Sequence, residues 1–407
     1  MPVGGSWGSR AAVTALLCLG VVPAARAVDV EVVKSGAFKS SIDLSGLRGN
    51  DAAASLFRKT LGDDLVRSGW FVLTGPARAV VAVSGTCVRS AGSVTSRCVA
   101  RNTATGGTFL NRTFRDERDR VRRLAHTVAD EIVRSVKGVP GIASTRIAMV
   151  GRRGAGKDIY LCDTDGHNVV QLTRDGAVCL APAWCPGGDL LFYTSLLKGF
   201  PDVYRIDLRT HARERVAGFP GLNAGADVSP DGRSLVLTLS KDGNPELYIL
   251  GLGSRRVSRL TRTRMAAEAS PSWAPDGNRV VFVSDRSGSP QLYATGRDGS
   301  GYRRLSFRGS ENVAPDWGPD GRIAYSSRRE GRYELCVLDP SAGTDTRITR
   351  GDADYEEPSW APDSRHIVCT RTAGYHSDLY ILDTLGDAPL RLTSLGGDWY
   401  SPAWSPQ

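Results

Sequence analysis

From residue 145 onward the apolar positions come in short runs, and Pro, Asp, Asn and Gly stand between the runs. "RVVFVSD", "QLYATGRD" and "YRRLSFR", within residues 279–308, are three consecutive examples. Runs this short, bounded by turn residues, predict β-strands. Residues 28–137 are patterned differently. "VDVEVV" predicts a strand, and "NDAAASLFRKTLGDDLVRSG" predicts a helix with Asn50 or Asp51 as N-cap and Gly69 as C-cap. "WFVLT", "AVVAVSGTCV" and "SRCVARN" read as strands. In "DRVRRLAHTVADEIVRSVKG" the residues Val121, Leu124, Val128, Ile132 and Val136 keep helical spacing, and Gly138 ends the helix. The expected organisation is a small α/β domain over 28–137, a linker over 138–144, and an all-β region over 145–407.

The all-β region repeats. "PAWCPGGD", "ADVSPDGR", "PSWAPDGN", "PDWGPDGR", "PSWAPDSR" and "PAWSPQ" follow one another, with Trp184, Val228, Trp273, Trp317, Trp360 and Trp404 in one slot. A second slot holds Tyr160, Tyr204, Tyr248, Tyr293, Cys336 and Tyr380, and a third holds "QLT", "RVA", "RLT", "RLS", "RIT" and "RLT". The repeat length is 43 to 45 residues. Pro-Asp-Gly is turn chemistry: Pro presets its dihedral, Asp bonds its own backbone, and Gly accepts a positive φ. Three runs after that turn and one before it make four antiparallel strands, which is a β-propeller blade. Six units predict six blades. The first unit lacks its Trp strand and the last has only that strand, so the two together complete one blade and close the ring, removing an exposed edge.

That frame disposes of an apparent nucleotide motif. Gly151, Gly156 and Lys157 in "GRRGAGKD" match G-x-x-x-x-G-K, but Asp158 stands where Ser or Thr is required. Two residues before the Tyr slot the six units have Asp158, Asp202, Glu246, Gln291, Glu334 and Asp378. Asp158 is therefore a repeat position, and an alternating strand follows it in place of the helix that a phosphate loop needs.

The first 27 residues form a different class of segment. Arg10, the run "AAVTALLCLGVV" and Ala25 and Ala27 before Val28 predict a cleaved signal peptide, hence an exported chain. The run is too short to span a bilayer, no later run is longer, and Leu17 before Cys18 speaks against lipidation. "GGSWG" at residues 4–8 falls in the leader, where no nucleophile elbow can form. The formal charge of +9 is scattered, which gives no footprint for nucleic acid. Cys87 and Cys98 flank an expected hairpin and are expected to form a disulfide in an oxidising compartment. Catalytic chemistry is poorly supported. His126, His167, His211, His366 and His376 are far apart in the repeat frame, and no H-E-x-x-H or C-x-x-C occurs. "DADYEE", residues 352–357, is the densest acidic cluster and reads as an exposed inter-blade loop. The closing blade takes up the last residues, leaving no room for a peptidase domain after the blades. No catalytic residue, metal or cofactor is expected.

A signal peptide, a small α/β domain and six blades with these turns resemble the TolB family of the Tol–Pal system. The resemblance rests on "DDLVRSGWF", "RRLAHTVADEI", "TRIAMV", "PGLNAGADVSPDGRSLVLTLSKDGNPELYILGL", "DRSGSPQLY" and "SPAWSP". It implies a monomeric, non-enzymatic periplasmic scaffold for outer-membrane integrity and constriction during division. It further implies binding of the peptidoglycan-associated lipoprotein, Pal, through one propeller face, and of TolA through the N-terminus. On this chain the TolA-binding positions are Val28, Asp29, Val30, Glu31, Val32, Val33 and Lys34. The loops entering the Trp strands share a face with the "SKDGN"-type loops, opposite the Pro-Asp-Gly turns, and differ from unit to unit. Loops that vary are free to specify a partner, so this is the expected Pal face. Its residues are Leu222, Asn223, Ala224, Gly225, Ala267 and Glu268, with Asn312, Tyr355 and Glu356 from neighbouring blades. The competing reading is a periplasmic hydrolase or ligand-binding propeller that uses its central channel.

Overall fold

A computed structural model describes residues 39–152, 156–392 and 396–407. The leader and the strand expected at Val28–Lys34 lie outside the described residues. The N-terminal domain begins with β1 (Ser40–Arg48), a strand the sequence pattern did not single out, which buries Ile42, Leu44 and Leu47. It continues through α1 (Ala52–Arg67), β2 (Phe71–Leu73), β3 (Val81–Arg89), β4 (Ser93–Asn102), β5 (Thr108–Glu117) and α2 (Val121–Lys137). The sheet order is β2-β1-β3-β4-β5, parallel on both sides of β1 and antiparallel beyond. Asp51 caps α1, its carboxylate accepting from the Ala54 N–H at 2.7 Å. Gly138 caps α2 at φ 71°, where a side chain would be strained. Phe57, Leu61 and Leu65 of α1 and Leu124, Val128 and Ile132 of α2 cover one face of the sheet.

The expected disulfide is not formed. Cys87 and Cys98 are both free thiols. Arg89 pairs with Val94, so the hairpin turns between Ala91 and Gly92, and Cys87 faces Ser96 while Cys98 faces Gly85. The thiols are diagonal neighbours, and diagonal residues lie about 7–8 Å apart, somewhat less between Cβ atoms, against the roughly 4.5 Å Cβ–Cβ reach of a disulfide. Burial pushes the Cys87 thiol up to about 11 and that of Cys98 to about 12.

Six four-stranded sheets form the propeller. The innermost strands of blades one to five are Cys179–Trp184, Asn223–Val228, Glu268–Trp273, Asn312–Trp317 and Asp354–Trp360. The closing blade joins Asp398–Trp404 to Arg146–Arg152, Asp158–Asp163 and Val170–Gln171, so the two ends of the all-β region do pair. The acid slot of the third strand ties it to the outermost one. Asp202, Glu246, Glu334 and Asp378 meet Arg215, Arg259, Arg347 and Arg391 at 2.7–3.1 Å. Asp158 instead accepts from Gln171 Nε2 at 3.1 Å and Thr173 Oγ1 at 2.8 Å, as a repeat residue should.

Candidate functional site: channel and faces of the propeller

Every innermost strand carries a bulge. The left-handed residue of that strand is Ala181, Gly225, Ser270, Ala314, Glu357 or Ser401, at φ 44–59°. Outside Gly225 this conformation costs about 1 kcal/mol per residue. These six residues ring a central channel of about 500 Å³. In four blades the side chain of the residue before the Trp slot bonds the next blade. Asp227, Ser272, Asp316 and Ser359 accept the backbone N–H of Trp273, Trp317, Trp360 and Trp404 at 2.6–3.0 Å. In two blades this residue is Ala183 or Ala403, and there Trp184 Nε1 donates to the Ala403 carbonyl at 2.9 Å. Burial raises the Asp227 carboxyl to about 6 and the Asp316 carboxyl to about 7, against the pull of those N–H groups. Glu357 is held by the Ser401 N–H and hydroxyl at 2.8 Å. The channel's acids are thus engaged in joining blades.

The entering loops and the loops between second and third strands do share a face. The N–H groups of Asn223, Glu268 and Asn312 donate to the carbonyls of Pro201, Pro245 and Pro290 at 2.9–3.1 Å. Not all the residues expected to meet a partner are at the surface there. Leu222, Ala224, Gly225 and Glu356 are half-buried; Asn223, Ala267, Glu268, Asn312 and Tyr355 are buried. Their polar groups hold the loops. Asn223 Nδ2 donates to the Phe219 carbonyl at 2.8 Å, and Asn312 Nδ2 to Gln291 Oε1 at 2.7 Å. Glu268 lies 2.9 Å from Arg286, and the Tyr355 hydroxyl accepts from Arg371 at 3.2 Å. Burial, then Glu357 and Asp354, raises Glu356 to about 7.

What this face offers to solvent is Phe200, Met265, Phe307 and Tyr375, exposed by 70, 88, 76 and 98%. Each stands in, or just before, one of the variable loops. The sequence carries a signal for Met265, a bulky apolar residue where the other units have Gly176, Pro220, Gly309, Asp352 and Gly396.

The Pro-Asp-Gly side is partly covered by the N-terminal domain. Arg365, in the blade-five turn, pairs with Asp383 at 2.6 Å and stacks its guanidinium 4.4 Å from the Trp70 ring centre. Lys39 meets Asp387 at 2.6 Å. Arg122 of α2 pairs with Asp165 of the closing blade. Gln407 Nε2 donates to the Gly141 carbonyl at 2.7 Å. At the same seam Asp64, His126 and Asp165 bring three possible ligand atoms within 4.8 Å. Asp64 already takes His126 Nδ1 at 2.6 Å and the Arg122 guanidinium already sits on Asp165, so this is an ion-pair cluster.

The class of protein is therefore defined: a six-bladed β-propeller with an α/β domain against its turn face and an apolar-studded loop face left free by the described residues. The TolB beta propeller domain family (PD40) matches residues 133–407. The chain belongs to the TolB family. It is 32% identical over 343 residues to the Tol-Pal system protein TolB of Gluconobacter oxydans, covering 81% of this chain and 75% of that protein. The protein of the same name from Bordetella pertussis is 31% identical over 84% of this chain and 93% of its own length. The crystal structure of TolB from Acinetobacter baumannii superimposes with a TM-score of 0.82 at 28% identity, over 94% of this chain and all of that one.

Proposed function

We propose that this chain is the periplasmic scaffold of a Tol–Pal system, binding Pal on the loop face of its propeller and TolA through Val28–Lys34, in support of outer-membrane integrity and constriction at division. The observation that carries the reading is the contrast between the faces: Phe200, Met265, Phe307 and Tyr375 project from one, while the N-terminal domain packs on the other. Four bulky apolar side chains around a rim are the kind of anchors that dominate protein interfaces. Leu222, Ala224, Gly225 and Glu356 complete the proposed contact. The buried Asn223, Ala267, Glu268, Asn312 and Tyr355 shape the loops that present it. A scaffold role, not catalysis, also accounts for the channel carboxylates, which spend their lone pairs on the backbone N–H groups of the next blade.

The "VDVEVV" alternation suits TolA binding by strand addition. Deleting residues 28–34 is expected to abolish TolA binding and leave the propeller's melting unchanged. The test of the whole reading is calorimetric titration of the mature chain with soluble Pal, wild type against Phe307→Asp with Met265→Asp. Tight binding by wild type, lost in the double variant, is expected. Equal binding by both proteins would refute the face, and turnover of a peptide or glycan by the pure protein would refute the scaffold.

A further inference from the structure

His126 lies on α2 with only 2% of its surface exposed, at the seam between the two domains. Its Nδ1 is 2.6 Å from Asp64 Oδ2 of α1, inside its own domain. Its Nε2 points across the seam and stands 3.5 Å from Asp165 Oδ2, in the turn between the third and outermost strands of the closing blade. That Nε2 has no hydrogen-bond partner, and neither has the Nε of Arg122 beside it.

The charged groups facing this imidazole come from each element packed on it. Asp64 and Arg67 lie on α1, Arg122 on α2, and Asp163, Asp165 and His167 on the closing blade. The Asp64 and Asp165 carboxylates lie 2.6 and 3.5 Å from the imidazole, and Asp163 acts on it through its charge. Arg122 pairs with Asp165, and Asn168 donates to Asp163 at 2.6 Å, so neither acid depends on His126 alone.

We infer that His126 is a proton-operated latch between the domains: as imidazolium it bridges Asp64 and Asp165, and on losing its proton it releases the α2 edge of the N-terminal domain from the closing blade. The chemistry follows from the two ring nitrogens. An imidazolium donates from both, so Nε2–H meets the Asp165 carboxylate while Nδ1–H keeps Asp64. A neutral ring held by Asp64 keeps its proton on Nδ1 and turns the Nε2 lone pair toward a carboxylate, which is repulsive.

Burial works against the imidazolium, but the hydrogen bond to Asp64 and the charges of Asp64, Asp165 and Asp163 outweigh it and raise the His126 pKa. Burial also raises Asp64, so the two share one proton and titrate as a pair. The sign is that of a raised group. The latch is closed below the ordinary imidazole value, about 6.5, and opens as pH climbs through the higher folded value.

The second anchor of the interface, Arg365 on Asp383 and Trp70, lies on blade five and has no proton of this kind crossing the seam. His366 beside it bonds Asp363 at 2.6 Å within the propeller. Opening is therefore one-sided, hinged at the Trp70 end. The latch rests on contacts inside the chain and does not depend on the partners proposed above.

Amide hydrogen exchange of the full mature chain at pH 6 and pH 8.5, corrected for intrinsic rates, tests this. Protection at 163–168 and along α2 is expected to fall about tenfold or more between the two, while amides of the blade-two strands stay unchanged. His126→Gln, and separately Asp165→Asn, are expected to show the open level of protection at both values. Asp165→Asn leaves the Asp64–His126 pair intact but also removes the Arg122 pair, so Arg122→Gln, which keeps both His126 and Asp165, is the control and should still lose protection between pH 6 and pH 8.5. Wild-type protection that is equal at both pH values, or a pH-dependent loss that survives in Asp165→Asn, would overturn the latch.

Discussion

The two faces of the propeller are made by the same hairpins, yet they differ in what they repeat. On one, Pro-Asp-Gly turns recur from blade to blade, each bonding its own backbone, as Asp276 accepts from the Asn278 N–H at 2.9 Å. The N-terminal domain docks on this face through Arg365, Lys39 and Arg122. On the other, the loops differ in composition from blade to blade: the entering loops push Met265 and Phe307 into solvent, and the loops between second and third strands push out Phe200 and Tyr375. Repetition marks residues that serve the ring, and departure from it marks residues free to recognise something outside.

The largest break in that contrast belongs to the ring. Trp399 in the closing strand is wholly buried, edge-on to Tyr160 at 5.1 Å between ring centres. Trp399→Ala should cost about 3–5 kcal/mol of stability, read by denaturant unfolding. The loop face should respond the opposite way. Phe307→Asp should weaken Pal binding by about 2 kcal/mol or more while stability moves by no more than about 0.5 kcal/mol. Asp276→Lys on the turn face should leave Pal binding unchanged. A loss of Pal affinity in Asp276→Lys alone would invert the assignment of the faces.

A third expectation concerns the channel. Burial holds the Asp316 carboxyl near 7, far above its unfolded value of 3.8. Between those values the folded chain holds a proton that the unfolded chain has released, so stability falls as pH rises from about 4 to 7. Asp316→Asn keeps an acceptor for the Trp360 N–H and removes the titration. Its stability should lose on the order of 2 kcal/mol less than wild type across that window, measured by unfolding at several pH values. The smallest effect lies in the N-terminal domain. Thiol labelling of the unreduced chain should leave Cys87 and Cys98 unmodified when folded and label both once it is unfolded. A mass two hydrogens short would restore the cross-link.

The ring was legible because its signals are local and repeated. A Trp slot, an acid slot and a turn, each at one spacing, fix strand, hairpin and blade without any long-range information. Asp158 is legible for the same reason: its partners Gln171 and Thr173 are the third marker of its own unit. The hairpin of β3 and β4 shows the limit. Placing its turn one residue late moves Cys98 two positions along β3, from Gly85 to Cys87, and nothing local in "VRSAGSVTSR" decides between the two. Burial of Asn223 and Glu268 was equally hidden, because their partners, Pro201 and Arg286, depend on how loops fold over one another. The left-handed residues of the innermost strands escaped notice although a Pro follows five of the six. A residue before Pro ordinarily prefers extended backbone, and only the ring imposes the bulge. β1 was missed because "SSIDLSGLR" is polar at most positions and is made a strand by pairing with β2 and β3.

The central claim is that recognition lies on the loop face. Hydrogen exchange of the mature chain with and without soluble Pal maps the contact without altering any residue. The account predicts new protection at 196–201, 262–268, 307–312 and 373–376, with the turns at 230–232, 275–277 and 319–321 unchanged. Protection confined to those turns, or to the N-terminal domain, would contradict it.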